Sequence, residues 1–279
     1  MTFRISLCNE VIRDLPFERQ CALAADLGYD GLEVAPFTLS GDPARLSGAE
    51  RARARRAAAD AGIEITGLHW LLSAPDGLSI TSNDAAMRAR TLDHLRAMVD
   101  LCADLGGSVL IHGSPPQRRL GDAPSAQAGL DNAREAFRVA GEAAGDAGVT
   151  YCIEPLAPAL TDCVNTIAQA GEIVKALGLP NLTAMIDTSA AWGGEDDPPE
   201  ALIRRHMPTG LLGHVHFNES NRRGPGQGAH AFAPIVAALV ETGYDGIIGI
   251  EPFDYHPDGV TSAARAIGFV RGLVEGVTT

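Results

Sequence analysis

Short apolar runs alternate along the chain with longer stretches in which apolar residues recur at helical spacing. The first run, FRISLC, is followed by PFERQCALAADLG, where apolar residues return every three or four positions before Gly28. Such a run predicts a buried strand, and such spacing predicts an amphipathic helix that ends at a glycine. The pattern repeats eight times, with the strand runs FRISLC, DGLEVAPF, IEITGLHWLL, GSVLIHG, VTYCIEP, LTAMIDT, LLGHVHF and DGIIGIEPF.

Eight strand and helix units predict an α/β fold, a single (β/α)8 TIM barrel over residues 1–279. The strand runs are largely apolar rather than alternating, which is typical of parallel strands covered on both faces. The length also suits one barrel of about 250 residues, and no Ser/Gly-rich tract separates two cores. A doubly wound open sheet is the rival fold. We disfavour it because the first strand is not followed by a G-x-G-x-x-G turn.

The charge balance bears on the partners of the protein. The chain has 35 acidic and 22 basic residues and a net charge of −13, which would repel a polyanion. Its main arginine cluster lies in the Ala-rich segment AERARARRAAADAG and predicts a solvated helix face. We therefore expect no nucleic acid partner.

The chain also lacks the features of a membrane or secreted protein. No apolar stretch approaches the roughly 20 residues of a membrane span, and the N-terminal residues do not resemble a signal peptide. The five cysteines have no paired spacing, and their odd number argues against a disulfide framework. We expect a cytoplasmic protein that does not contact membranes.

Four side chains of metal-ligand type lie where the last four predicted strands end: Glu154, Asp187, His216 and Glu251. In a TIM barrel the chemistry takes place at this end of the strands, and a buried carboxylate is costly unless it is paired or metal-bound. Each residue could instead cap a helix or pair with an arginine such as Arg222. As a set, three oxygen ligands and one imidazole suit one divalent ion, Mn²⁺ first, with Mg²⁺ or Co²⁺ as alternatives.

The other predicted strands end in polar or aromatic residues that could contact a substrate. These candidates are Asn9 and Glu10, His69 and Trp70, and His112. Trp70 could stack against a sugar face or could be a large core residue that closes the barrel. Glu33, within the second strand, is expected to have a structural or supporting role. His214 shares one strand face with His216, and a lone strand histidine is more often a core residue than a ligand.

The four strand-end residues, their IEP and IEPF contexts and the motif H-x-H-x-x-E-x-N-R resemble the xylose-isomerase-like barrels. The similarity is to the sugar isomerase/epimerase branch, which includes ketose 3-epimerases and hydroxypyruvate isomerase. The resemblance implies that the four residues hold one divalent ion and that Glu154 and Glu251 double as acid/base groups. It also implies that Arg222 contacts substrate oxygens.

Two positions depart from the epimerase pattern. Ala190 stands where these enzymes carry a histidine that helps to hold the sugar, and Leu160 stands where they carry a second glutamate. The resemblance therefore implies the metal and acid/base groups, but it does not imply the same substrate contacts.

These observations predict a divalent-metal-dependent isomerase or epimerase of a keto sugar or small polyhydroxy ketone. Proton transfer through a metal-stabilised enediolate would run between the two glutamates. A metal-dependent lyase that acts on a keto sugar or keto inositol would share the first step and remains an alternative. A phosphodiesterase of the same superfamily would need additional His and carboxylate ligands and a basic groove, which we do not expect here. A barrel without catalysis is the last alternative, and a homodimer is the expected assembly.

Overall fold

Eight parallel strands close into a barrel in the computed structural model, which describes residues 3–278 apart from the side chains of Asp122 and Thr278. The strands follow one another around the barrel in chain order, and β1 pairs with β8 to close it. Their bounds are Arg4–Cys8 (β1), Gly31–Val34 (β2), Glu64–Leu68 (β3), Val109–His112 (β4), Thr150–Ile153 (β5), Leu182–Asp187 (β6), Leu212–Phe217 (β7) and Ile247–Ile250 (β8). The predicted TIM barrel is confirmed.

The helices lie outside this barrel and follow the predicted alternation. Within residues 3–278 they are Phe17–Leu27 (α1), Gly48–Ala61 (α2), Ala85–Leu105 (α3), Ala126–Ala147 (α4), Ile167–Leu177 (α5), Thr188–Gly194 (α6), Pro199–His206 (α7), Ala233–Glu241 (α8) and Gly259–Thr278 (α9). Helix α1 ends at Gly28 with a left-handed φ of 88°, as its sequence predicts. In the part of the chain that the structure describes, no helix is both long enough and apolar enough to cross a membrane.

Helix α6 was not predicted, because the segment after β6 is rich in Gly, Asp and Pro and indicates a loop. The structure shows a short helix there that begins directly after Asp187. Asp187 Oδ1 accepts a hydrogen bond of 2.6 Å from the backbone N–H of Ala190 and so caps the helix. This cap also fixes the orientation of the Asp187 carboxylate at the carboxyl end of β6.

Candidate active site

The carboxyl ends of β5 to β8 bring the four predicted metal ligands together. Glu154, Asp187, His216 and Glu251 are all buried, and one ligand atom from each lies within 4.8 Å of the others. Asp187 and His216 are directly paired in the register of β6 and β7. The barrel therefore forms one compact cluster from residues that are far apart in sequence.

The electrostatics of this cluster fit a bound cation. Burial raises the pKa of the Glu154 carboxyl well above its usual range, and the nearby carboxylates of Glu251 and Asp187 raise it further. Burial, followed by the charge of Glu251, raises the pKa of Asp187 to about 6. Both shifts arise because carboxylates crowd together away from water. A divalent cation would relieve that repulsion, and carboxylate oxygens with one imidazole are ligands that suit Mn²⁺ or Mg²⁺.

The imidazole of His216 is held between two carboxylates. Its Nδ1 lies 2.9 Å from Glu251 Oε2, and its Nε2 lies 2.8 Å from Glu33 Oε1. An outer carboxylate of this kind orients a ligating histidine and fixes which ring nitrogen faces the metal. The ring also packs closely on β8, where a Cβ at Gly249 would come within 2.6 Å of His216 Cδ2. A glycine is therefore required at that position.

Glu33 supports this arrangement from β2. Its second oxygen lies 2.8 Å from His214 Nε2, so one buried carboxylate is bonded to both histidines of β7. Burial by itself raises the pKa of Glu33, but the imidazoles of His216 and His214 outweigh it and hold the pKa well below its ordinary value. This geometry agrees with the expected supporting role of Glu33.

Asn218 is a supporting residue that the sequence analysis did not single out. Its Nδ2 donates to Asp187 Oδ2 at 2.8 Å and to the backbone carbonyl of Glu251 at 3.1 Å. Its Oδ1 accepts a hydrogen bond of 2.9 Å from the backbone N–H of Ser189. Asn218 therefore connects the ends of β6, β7 and β8. The available signal was its position two residues after His216, on the same side of the strand.

Further titratable groups lie beside the four. His69 Nε2 lies 2.7 Å from Glu10 Oε2 and 4.0 Å from Glu251 Oε1. Burial lowers the pKa of His69, but Glu10 outweighs it and the pKa is raised to about 9. Ligand atoms of Cys8, Glu10, His69 and Glu251 also lie within 4.8 Å of one another. The expectation that additional His and carboxylate groups are absent near the site was therefore wrong, because strand ends from both halves of the barrel converge.

A cavity of about 280 Å³ opens above this cluster. Glu154 and Glu251 line it, whereas Asp187 and His216 do not. Three of the expected substrate contacts also line the cavity: His69, Trp70 and Arg222. The two glutamates are thus the members of the cluster that a molecule in the cavity would meet.

Trp70 and Arg222 are positioned through Phe253, which follows Glu251 by two residues. The Trp70 ring lies edge-on to the Phe253 ring at 6.1 Å, and the Arg222 guanidinium carbon lies 5.6 Å from the same ring. The backbone carbonyl of Arg222 accepts hydrogen bonds of 2.7 Å from the N–H groups of Phe253 and Asp254. The loop after β7 is therefore tied to the loop after β8, and this places Arg222 at the cavity.

Asn9 and His112, the other two expected substrate contacts, do not line the cavity. Asn9 Nδ2 donates to Gln20 Oε1 in α1 and to Thr38 Oγ1 after β2, and Asn9 Oδ1 accepts from the backbone N–H of Ala35. His112 is fully buried with its Nδ1 2.6 Å from the Tyr151 hydroxyl. Burial, followed by the charge of Arg118, lowers the pKa of His112 to about 3. Both side chains point into structure rather than into the cavity.

The two positions that depart from the epimerase pattern have different environments. Ala190 is buried in α6 and lies outside the cavity lining. Leu160 lines the cavity and is 45% exposed. Of these two residues, only Leu160 therefore forms part of the surface that a bound molecule would touch.

Comparison with known proteins agrees with this geometry. A family model described as a xylose isomerase-like TIM barrel matches residues 21–273. The D-psicose 3-epimerase of Agrobacterium fabrum is 34% identical over 244 residues, which cover 82% of this chain and 76% of that protein. The L-ribulose 3-epimerase of Mesorhizobium japonicum is 30% identical, with 85% and 75% covered. A solved structure of an L-ribulose 3-epimerase superposes with a TM-score of 0.84 at 25% identity, covering 99% of this chain and 96% of that one. This chain therefore belongs to the xylose isomerase-like TIM barrel family.

Proposed function

We propose that this protein is a divalent-metal-dependent epimerase that inverts a carbon next to the carbonyl group of a keto sugar. The observation that carries the proposal is the buried cluster of Glu154, Asp187, His216 and Glu251, with its two glutamates reaching the cavity. The relatives named D-psicose 3-epimerase and L-ribulose 3-epimerase support an epimerase or isomerase of a keto sugar as the general class.

The four clustered residues would hold the metal ion. Mn²⁺ is our first choice, with Mg²⁺ or Co²⁺ as alternatives, because three of the four ligands are carboxylates. A divalent ion bound there would polarise the carbonyl and the adjacent hydroxyl of the sugar, which lowers the cost of removing the proton between them. Glu33 and Asn218 would keep the ligands in place through their bonds to His216 and Asp187.

Glu154 and Glu251 would move the protons. They extend from β5 and β8, the outer strands of the four that form the cluster, so they would approach a bound sugar from different sides. One carboxylate would remove the carbon-bound proton, and the other would return a proton to the opposite face of the planar intermediate. In the metal-free site, burial and the neighbouring carboxylates raise the pKa of Glu154, and a bound divalent ion would offset that rise.

The remaining cavity groups would bind and orient the sugar. Arg222 is exposed at the cavity, and a guanidinium presents several donors to hydroxyl or carbonyl oxygens. His69 lies against Glu10 and faces the same space as Glu251, so it can hold a substrate oxygen near the reacting carbon. Trp70 provides an aromatic wall.

Incubation of the Mn²⁺-supplemented protein with ketohexoses and ketopentoses in D₂O tests the proposal. We expect one deuterium to enter the carbon next to the carbonyl, with inversion of that carbon, as followed by proton NMR. Glu154→Gln and Glu251→Gln should each abolish exchange, whereas Cys163→Ser, at a buried cysteine outside the cavity, should not.

Two outcomes would contradict the proposal. Full exchange in Glu251→Gln would refute the scheme with two acid/base groups. An unsaturated or cleaved product would instead identify a lyase, which begins with the same proton removal and then expels a group from the neighbouring carbon. Mn²⁺ binding to each variant, measured by calorimetry, separates loss of the metal from loss of the acid/base group.

A further inference from the structure

A second group of ligand-type side chains lies beside the proposed metal site. One thiol, two carboxylates and one imidazole are all buried, and a ligand atom from each lies within 4.8 Å of the others. The group consists of Cys8 at the end of β1, Glu10 in the turn that follows, His69 directly after β3 and Glu251 directly after β8. Only Glu251 belongs to both groups, so the second group draws its other members from the opposite half of the barrel.

The two carboxylate oxygens of Glu251 face different histidines. Oε2 lies 2.9 Å from His216 Nδ1 in the proposed metal site, whereas Oε1 lies 4.0 Å from His69 Nε2. The longer distance exceeds that of a hydrogen bond. Two zinc bonds of about 2.1 Å each can span it, so the two atoms can share one ion. Glu251 is therefore placed to bridge two metal ions, one on each oxygen.

Glu10 lies on the other side of the same His69 nitrogen. Its Oε2 is 2.7 Å from His69 Nε2, and its Oε1 is buried without a hydrogen-bond partner among the described residues. A buried carboxylate oxygen without a partner costs free energy, so a purely structural Glu10 should have both oxygens bonded. Coordination of a cation would satisfy the carboxylate. Glu10 also lines a second cavity, of about 420 Å³, which gives an ion a route to the group.

Cys8 decides which metal this group prefers. Burial raises the pKa of the Cys8 thiol well above its usual range, and the carboxylates of Glu33 and Glu10 raise it further. The same negative charge favours a cation, and a thiol that ligates zinc gives up its proton to solvent. One sulfur, one imidazole and two carboxylate oxygens suit Zn²⁺, whereas Mn²⁺ and Mg²⁺ prefer oxygen ligands.

We propose that Cys8, Glu10, His69 and Glu251 form a second metal site, which binds Zn²⁺ and inhibits the reaction at the first. A zinc ion there would hold Glu251 Oε1, while Oε2 faces His216 and the proposed metal site. Glu251 would then have no free oxygen to accept a proton. Zinc binding is independent of the proposed function, whereas inhibition rests on Glu251 as an acid/base group.

Co²⁺ tests the binding, because it occupies zinc sites and absorbs in the near ultraviolet when a thiolate ligates it. We would titrate chelator-treated protein with Co²⁺ and expect two ions per chain, with a thiolate-to-cobalt band that added Zn²⁺ removes. Cys8→Ser should bind one Co²⁺ without the band. Cys163→Ser, at a buried cysteine outside both groups, should keep both ions and the band. Glu10→Gln should weaken the band-forming ion by at least about tenfold.

Deuterium exchange on a ketose tests the inhibition. Zn²⁺ added to the Mn²⁺-loaded protein should stop exchange, and Cys8→Ser should need at least about tenfold more Zn²⁺ for the same effect. Equal sensitivity of Cys8→Ser would place the inhibition at the first site and overturn the inference.

The unmodified protein alone can also overturn the inference, whether or not the variants fold. A single Co²⁺ per chain, or two without the thiolate band, would exclude the second site. Two ions with the band but no exchange under any metal condition would instead contradict the proposed epimerase and would leave the second site standing.

Discussion

Asn218 offers a sharp test of how the proposed metal site is supported. Its side chain joins the Asp187 carboxylate, the Glu251 backbone and the start of α6, yet it does not line the cavity. Replacement by alanine would leave three groups without their partner: Asp187 Oδ2, the Glu251 carbonyl and the Ser189 N–H. With about 1 kcal/mol for each, Asn218→Ala should lower the free energy of unfolding of the metal-free protein by about 3 kcal/mol.

The same substitution should weaken metal binding. Without the Asn218 amide, Asp187 keeps only the hydrogen bond from Ala190, and its carboxylate can turn away from the cluster. Loss of an outer partner of a metal ligand typically costs about 10-fold to 100-fold in affinity. We therefore expect the dissociation constant for Mn²⁺ to rise by at least about tenfold, as measured by calorimetry on chelator-treated protein.

Asn181→Ala is the matched control. Asn181 also donates to a backbone carbonyl, that of Val149 at 2.8 Å, but it precedes β6 at the opposite end of the barrel. Its loss should cost about 1 kcal/mol in urea denaturation and should leave Mn²⁺ affinity unchanged. If Asn218→Ala were destabilised as expected but bound Mn²⁺ as the unmodified protein does, Asn218 would support only the fold and the argument would fail.

Three further predictions concern stability. Mn²⁺ at a hundredfold excess over its dissociation constant should raise the free energy of unfolding by about 2.7 kcal/mol, seen as a higher Tm. Asp187→Asn should lose most of that gain. If added Mn²⁺ left the Tm of the unmodified protein unchanged, the proposed metal site would be refuted. Glu33→Gln should cost about 3 kcal/mol in urea denaturation, because it weakens a buried partner of two imidazoles. The control Glu64→Gln, in an exposed pair with Arg4, should lower the free energy of unfolding by less than about 1 kcal/mol. Equal losses of stability in Glu33→Gln and Glu64→Gln would refute the reasoning. His112 has a folded pKa of about 3 against an ordinary 6.5, so the unfolded chain takes up the proton first as the pH falls. The buried, neutral imidazole of His112 therefore contributes to the free energy of unfolding above pH 6.5. About 2 kcal/mol of that free energy should be lost by pH 5. His112→Gln should lack this part of the pH dependence, and unchanged pH dependence between pH 7 and pH 5 would contradict the buried neutral imidazole.

The clustering of Glu154, Asp187, His216 and Glu251 could be predicted without coordinates, because it depends only on where each strand ends and in which direction the strands run. Glu154, Asp187 and Glu251 each follow a run of apolar residues, and those runs predict parallel strands covered on both faces. Once eight such strands are inferred, their carboxyl ends must meet at one rim, so side chains far apart in sequence become neighbours. The conclusion needed only the order of the strands and the place where each one ends.

The substrate-contact candidates show where this reasoning stops. Asn9 and His69 both directly follow a strand, yet His69 lines the cavity and Asn9 points into the packing of α1. Beyond the last paired residue the alternation of side chains ends, and the dihedral angles of the turn decide the direction. Trp70, for example, has a φ of 52°, which its sequence did not indicate. The backbone of the turn after β1 likewise directs the side chain of Glu10, rather than that of Asn9, towards His69.

Sequence periodicity established the eight-stranded barrel and the rim positions of Glu154, Asp187, His216 and Glu251, because hydrophobic spacing reflects local geometry. Closure of the barrel decided which side chains contact those residues from the other strands. Glu33 and His214 are 181 positions apart, and only the closed ring of strands brings the Glu33 carboxylate to both histidines of β7. Contacts of this kind depend on the distance between strands across the barrel interior. That distance cannot be inferred from the spacing of residues along the chain.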